Sequence, residues 1–185
     1  MSGENKAVFL DRDGVLIEDV HYLSDLKQVQ IFQDIPQNLI RLKTYGFKLI
    51  VITNQSGIAR GYFPESFVKE THDFLNQALG SVLDAFYYCP HHIEGQKPYD
   101  LSCNCRKPKP GLVQQAVLEH HIDVKKSFMV GDKKSDLGLA VNSGLSGILV
   151  KTGHGIEEED SVLSLFPGTP ICGSFTEAVE LILAR

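Results

Sequence analysis

Ala7-Val8-Phe9-Leu10-Asp11-Arg12-Asp13-Gly14-Val15-Leu16 decides the fold: an unbroken apolar run delivers two carboxylates one residue apart, followed at once by a glycine. A short apolar run of this kind fits a strand buried on both faces of a sheet, and in such sheets ligands sit beyond the carboxyl ends of the strands. Asp11 and Asp13 fall at that end, and Gly14 permits a sharp turn there. Alone, Asp-x-Asp-Gly reads equally as an Asx turn closing a strand, so the companion segments decide.

The same pattern recurs downstream. Residues 47–53 form a second apolar strand that also ends on polar groups, Thr53-Asn54-Gln55-Ser56-Gly57, and 82–88 and 127–130 read as a third and a fourth. The fourth runs into Gly131-Asp132-Lys133-Lys134-Ser135-Asp136, which opens a helix with Leu137, Leu139, Ala140 and Val141. Between the strands lie helices at 36–45, with Leu39, Ile40 and Leu42 on one face and Gly46 at the C-cap, at 64–79, with Phe67, Phe74, Leu75 and Ala78 facing the core, and at 110–121. Residues 147–150 form a fifth strand, 153–160 an acidic surface loop, 169–172 a last strand and 175–183 an amphipathic helix. Strands alternating with helices predict a three-layer α/β/α doubly wound parallel sheet with right-handed crossovers, in a single domain spanning 1–185. Residues 17–31 follow neither period and read as a loop or short flap.

A chain of 185 residues with 43% hydrophobic and 22% charged residues suits one soluble domain with a substantial core. The net charge of -5 argues against a broad nucleic-acid or anionic-membrane surface, although a basic cluster in a cleft can still attract a phosphorylated metabolite. Met1-Ser2-Gly3-Glu4-Asn5-Lys6 carries no apolar signal core and no run is long enough to span a bilayer, so a cytoplasmic monomer with reduced thiols is expected.

Asp11, Asp13, Thr53, Lys107 and Asp132 all fall at or near the ends of separate elements, so the sheet can gather them in one crevice. That constellation suits phosphoryl transfer: a carboxylate attacking a phosphate dianion meets like charge, which a divalent cation held by carboxylates and an opposing lysine would offset. Oxygen ligands point to Mg²⁺. On an extended segment the two carboxylates point to opposite sides, so one can attack phosphorus while the other serves the leaving oxygen; Thr53 and the Asn54 and Gln55 amides can cradle phosphate oxygens. Taken singly, Asp132 and Asp136 read as a helix N-terminus and Lys107 as a solvated side chain. Cys89-x-His91 and Cys103-x-Cys105 add three thiols and an imidazole, a set suited to a closed structural Zn²⁺ in an insertion over 89–105 that has no core of its own; His92 is the competing ligand, and buried, metal-free thiols the competing reading.

Asp11-x-Asp13-Gly14, Thr53-Asn54, Lys107 and Gly131-Asp132-x-x-x-Asp136, in that order over residues 7 to about 150, resemble the haloacid dehalogenase superfamily of phosphatases. The resemblance implies Asp11 as nucleophile, Asp13 as general acid and then base, Thr53 and Lys107 holding the phosphoryl group, Mg²⁺ on Asp11, Asp132 and the Asp13 carbonyl, and Asp136 in support. The Cys-Pro-His-His and Cys-x-Cys-Arg-Lys-Pro stretches are similar to the zinc loop of the capless heptose bisphosphate and histidinol-phosphate phosphatases. Thr53-Asn54-Gln55-Ser56-Gly57-Ile58-Ala59-Arg60-Gly61 and Lys107-Pro108-x-Pro110-Gly111 favour the heptose branch. That branch implies substrate contacts at Asp19, Val20, His21, Tyr22, Asn54, Gln55, Ser56, Arg106 and Lys133, with Arg106 offering a planar fork to a second phosphate, and a product destined for nucleotide-activated heptose in surface polysaccharide. A 3′-phosphatase on polynucleotide ends shares the core chemistry but fits the acidic charge poorly. A non-catalytic, zinc-stabilised binding module would require a catalytic position to be missing, and none is.

Overall fold

The computed structural model describes residues 4–185; of the N-terminal stretch read for a signal core, Met1, Ser2 and Gly3 lie outside the described residues. Six strands, β1 (Lys6–Leu10), β2 (Phe47–Asn54), β3 (Ala85–Cys89), β4 (Phe128–Gly131), β5 (Ser146–Val150) and β6 (Ile171–Cys172), form one sheet in the order β3-β2-β1-β4-β5-β6. Every neighbouring pair is parallel. The chain builds outward from β1 to β3 and then returns to the other side of β1 with β4, so the point where strand order reverses lies between β1 and β4. Asp11 and Asp132 sit just beyond the ends of those two strands.

Period-two alternation along the strands makes two cores. Val8 and Leu10 of β1, with Leu49 and Val51 of β2, face α1 (Ile35–Thr44), α3 (Glu65–Ala78) and α7 (Phe175–Leu183), whereas Ala7, Phe9, Ile50 and Ile52 face α4 (Gly111–His120) and α5 (Lys134–Ser143). A strand that is apolar at every position therefore marks a sheet covered on both faces. Proline in the first turn of α1 and Gly46, at φ +81° just past its end, set that helix's limits.

Four details differ from the expectations above. The acidic stretch expected as a loop at 153–160 is the start of α6 (Gly155–Leu165): Glu157 and Glu158 occupy its first turn, where negative charge suits the helix dipole, and Val162 packs against Leu137 and Leu149. On α3 the buried face is Val68, Thr71, His72 and Leu75, with Phe67 packed against the core as expected, while Phe74 and Ala78 point outward. Ile40 and Val141 are likewise exposed. A short α2 (Ser56–Ala59) also interrupts the loop after β2.

His72 is 5% exposed, stacks on Phe86 with ring centroids 4.6 Å apart, and has no partner for Nε2. Burial, helped by the Arg12 charge, pushes its pKa from 6.5 down to about 3. Between those two values the unfolded chain binds the proton and the folded one does not, so this stability is complete above pH 6.5 and drains away as pH falls toward 3. Replacing His72 by Phe keeps the stack and removes the titration. The parent is expected to lose about 2 kcal/mol more than His72→Phe between pH 7 and pH 5, read by urea unfolding at both pH values; equal losses would reject the assignment.

Candidate active site

β1 ends at Leu10, one residue before the first carboxylate, and the backbone then closes a turn: the Gly14 amide donates to Ile17 O at 2.8 Å, and Gly14 takes φ +89°. Because this segment curls, Asp11 and Asp13 face the same cavity rather than opposite sides as an extended segment would place them. The cavity is about 280 Å³, and it is lined by Asp11, Asp13, Asp19, His21, Thr53, Asn54, Arg106, Lys107, Lys133 and Ser135.

Lys107 occupies the floor. Its Nζ lies 2.9 Å from Asp11 Oδ1 and 2.6 Å from Asp136 Oδ1, and donates to Ile52 O at 3.0 Å. Burial disfavours its charge, yet the carboxylates of Asp11 and Asp136 more than compensate and hold its pKa above the usual lysine value. Asn54 fixes the backbone beneath it, accepting from Lys107 N at 3.0 Å and donating to Lys107 O at 3.3 Å.

Asp13 is clamped by Arg12, whose Nε and Nη2 reach its carboxylate at 3.0–3.2 Å. Gln55 ties this pair to the next strand: its Nε2 donates to Asp13 Oδ2 at 3.0 Å and to Thr53 Oγ1 at 2.8 Å, and its Oε1 accepts from Arg12 at 3.1 Å. With Gln55 occupying its lone pair, the Thr53 hydroxyl keeps its proton free for an oxygen in the cavity.

Asp132 is fully buried. One oxygen, Oδ2, accepts from His154 N at 2.9 Å, and Oδ1 has no partner. A Cβ at either Gly14 or Gly153 would run into Oδ2, and both glycines have positive φ, so the backbone is shaped around this carboxylate. Burial, then the Asp11 charge, pushes Asp132 up to about 7, and burial pushes Asp136 up to about 6. An orphaned oxygen in a crowded, desolvated carboxylate cluster (Asp11, Asp132, Asp136) is the environment that a hard divalent cation relieves. Asp136 itself caps α5, accepting from Lys133 N at 3.1 Å, which leaves it to support Lys107.

At the far side, the four donors Cys89, His91, Cys103 and Cys105 converge, with all four cysteines of the chain free. Sulfur separations are 3.1 Å for Cys89–Cys105 and 3.5 Å for Cys89–Cys103, and His91 Nδ1 lies 3.2 Å from Cys105 Sγ. A tetrahedral zinc site has sulfurs about 3.8 Å apart, so a small expansion suffices. His92 lies outside this set, with Nε2 3.5 Å from Arg60 Nη2. Burial raises the Cys89 thiol above its usual value, whereas hydrogen bonds from neighbouring thiols and amides outweigh burial at Cys103 and bring it down to about 7.

Among the remaining expected contacts, Asp19, His21, Arg106 and Lys133 line the cavity, and Lys133 Nζ lies 2.9 Å from Asp19 Oδ2. Val20 instead packs on the main core, Tyr22 stands edge-on to Tyr62 at 4.5 Å, Gln55 is buried behind the cavity wall, and Ser56 starts α2. Arg12, Ser135 and the backbone of His154 are site components that the sequence reading passed over. Ser135 alone had a visible signal, its place on the first turn after Asp132.

A family model for HAD-hydrolase-like proteins matches residues 104–178. The chain is 45% identical to D-glycero-beta-D-manno-heptose-1,7-bisphosphate 7-phosphatase of Haemophilus ducreyi, over 83% of this chain and 87% of that one. It is 40% identical to the D-glycero-alpha-D-manno-heptose-1,7-bisphosphate 7-phosphatase of Photorhabdus laumondii, over 86% and 91%. The crystal structure of D,D-heptose 1,7-bisphosphate phosphatase from B. bronchiseptica with magnesium and phosphate superposes with a TM-score of 0.85 at 31% identity, covering 97% of this chain and 98% of the other.

The floor arrangement makes a prediction about charge balance. Lys107→Met leaves Asp11 and Asp136 facing each other in a buried site and is expected to cost about 3–5 kcal/mol of stability. Adding Asp136→Asn to it should recover at least about 1 kcal/mol, measured by urea unfolding in Mg²⁺-free buffer. A double variant less stable than the single one would mean that the three charges are not coupled.

Proposed function

Since the chain belongs to the heptose-1,7-bisphosphate 7-phosphatase family of HAD-like hydrolases, we propose that it removes the 7-phosphate of D-glycero-D-manno-heptose 1,7-bisphosphate and leaves heptose 1-phosphate. The observation that carries this reading is the convergence of Asp11, Asp13, Thr53 and Lys107 on one small, open cavity with Arg106 and Lys133 at its wall. The 1-phosphate product suits activation by a nucleotide for surface polysaccharide.

In the first half-reaction an Asp11 carboxylate oxygen bonds to phosphorus as the bond to the sugar oxygen breaks, and Asp13 hands its proton to that oxygen. In the second, Asp13 takes a proton from water, which attacks phosphorus and frees Asp11. Arg12 and Gln55 hold Asp13 in place through both steps, while the Thr53 hydroxyl donates to an equatorial oxygen and the Lys107 charge offsets that of the phosphoryl group. Asp11, Asp132 and the Asp13 carbonyl are the groups that would hold Mg²⁺, which supplies charge neutralisation at the transferring phosphoryl group. Arg106 and Lys133 provide the cations for the second phosphate, with Asp19, His21 and Asn54 shaping the mouth.

The Cys89, His91, Cys103 and Cys105 cluster takes a structural Zn²⁺ in this reading. In this reading the chain works as a single-domain cytoplasmic monomer on a small sugar phosphate; no helix among the described residues is long and apolar enough to cross a membrane.

Purified protein with Mg²⁺ is expected to release phosphate from heptose 1,7-bisphosphate, in one or both anomers, and to leave heptose 1-phosphate, at a rate well above that with histidinol phosphate. Preference for histidinol phosphate would overturn the substrate while keeping the chemistry. Asp11→Asn should abolish turnover with an unchanged circular dichroism spectrum; residual activity at parental level would exclude it as nucleophile. Cys103→Ser should lose zinc by elemental analysis and lower the melting temperature together, and full zinc with unaltered melting would refute the four-ligand site.

A further inference from the structure

Asp19 and His21 of the flap and His154, which precedes α6, bring one carboxylate oxygen and two imidazole nitrogens within 4.8 Å of one another at the cavity mouth. These groups come from two segments far apart in sequence, and none is needed to build the core: His21 is exposed and the other two are half-buried. His154 Nε2 lies 3.3 Å from Asp19 Oδ2, and the two imidazole centroids are 6.2 Å apart. We infer that this triad is a second metal site, selective for a borderline divalent transition ion such as Ni²⁺ or Zn²⁺, whose occupation closes the mouth.

The donor chemistry sets the selectivity. Two nitrogens and one oxygen suit a borderline ion and offer little to Mg²⁺, which prefers oxygen. The imidazoles can turn, since His21 and His154 pack on each other only at a tilt. Besides His154, Asp19 carries two contacts: Oδ1 accepts from His21 N at 2.8 Å and Oδ2 meets Lys133 Nζ at 2.9 Å. Each carboxylate oxygen has two lone pairs, so a metal bond can be added without breaking either contact. The Lys133 ammonium opposes a second cation, and Asp132, 3.5 Å from it on the other side, offsets that repulsion.

Asp19 and His21 both line the cavity, so an ion bridging them to His154 would occupy space that the substrate needs. This consequence rests on the phosphatase reading; the metal site does not. Ni²⁺ is therefore expected to raise the apparent KM for heptose bisphosphate with little change in kcat.

The test titrates Ni²⁺ by calorimetry into protein whose Cys cluster is loaded with Zn²⁺, in excess Mg²⁺. The full chain is expected to bind one equivalent, with His154→Ala and His21→Ala each weakening it on the order of tenfold or more. In the unsubstituted protein the paramagnetic ion should broaden the ring resonances of His21 and His154 ahead of the other histidines. Absence of binding, parental affinity retained in both variants, or broadening confined to His91 and His92 would each overturn the site. Binding at the triad with kcat lowered and KM unmoved would keep the site and reject closure of the mouth, and binding by a protein inactive on every sugar phosphate would separate this inference from the functional one.

Discussion

A single buried ammonium holds the site together. Lys107 is 5% exposed and sits between Asp11 and Asp136, with the Ile52 carbonyl as its third partner. Each of those groups belongs to a different element: the end of β1, the first turn of α5 and the C-terminal part of β2. Three carboxylates, Asp11, Asp132 and Asp136, could not share so small a volume without an opposing charge. The lysine lets the chain concentrate acid at the strand ends, and the same acid keeps the lysine charged. Asn54 then removes the remaining freedom by bonding both backbone groups of Lys107.

Sheet topology explains why these groups can meet. Two parallel arms grow in opposite directions from β1, and the gap left between the connections after β1 and β4 is where a small ligand enters. Here the gap is also sculpted by glycine. Gly14 and Gly153 both press on Asp132, with backbone conformations that suit no other residue well, and the carboxylate has no room to turn. Thr152 closes the same corner by donating to Gly14 O at 2.6 Å. A strand-end carboxylate held on two sides keeps its free oxygen directed into the cluster.

Most of this was legible because the signals were local. Apolar runs ending on Asp11, Thr53 and Asp132 announced both the strands and the site, since a strand buried on both faces can place polar groups only at its ends. Arg12 was illegible for the opposite reason. Between two aspartates it resembles a solvated charge, and only the curl of the turn folds it back to 2% exposure against Asp13 and Gln55. For Gln55 the sequence pointed to a phosphate contact through its backbone amide, and gave no sign that its side chain turns inward to Asp13, Thr53 and Arg12. α6 was hidden by composition: four consecutive acids read as loop, whereas two of them cap a dipole and one buried residue, Val162, anchors the helix.

The stretch Cys105-Arg106-Lys107 shows how specificity and chemistry can be coupled without a cap domain. Cys105 is fixed in the sulfur cluster, 3.1 Å from Cys89 at the end of β3. Arg106 follows and borders the cavity, its Nη1 donating to the carbonyl of His91 at 3.3 Å, so the cluster's own backbone aims the guanidinium. Lys107 comes next and is buried among carboxylates. Three adjacent residues thus join the sulfur cluster, the cavity wall and the buried carboxylate cluster. The loop is also pinned from the opposite side, where Tyr99 and Tyr88 both donate to Glu65 at the start of α3, at 2.9 and 2.7 Å. An insertion without its own core is thereby tied at both ends, to β3 through the sulfur cluster and to α3 through Glu65.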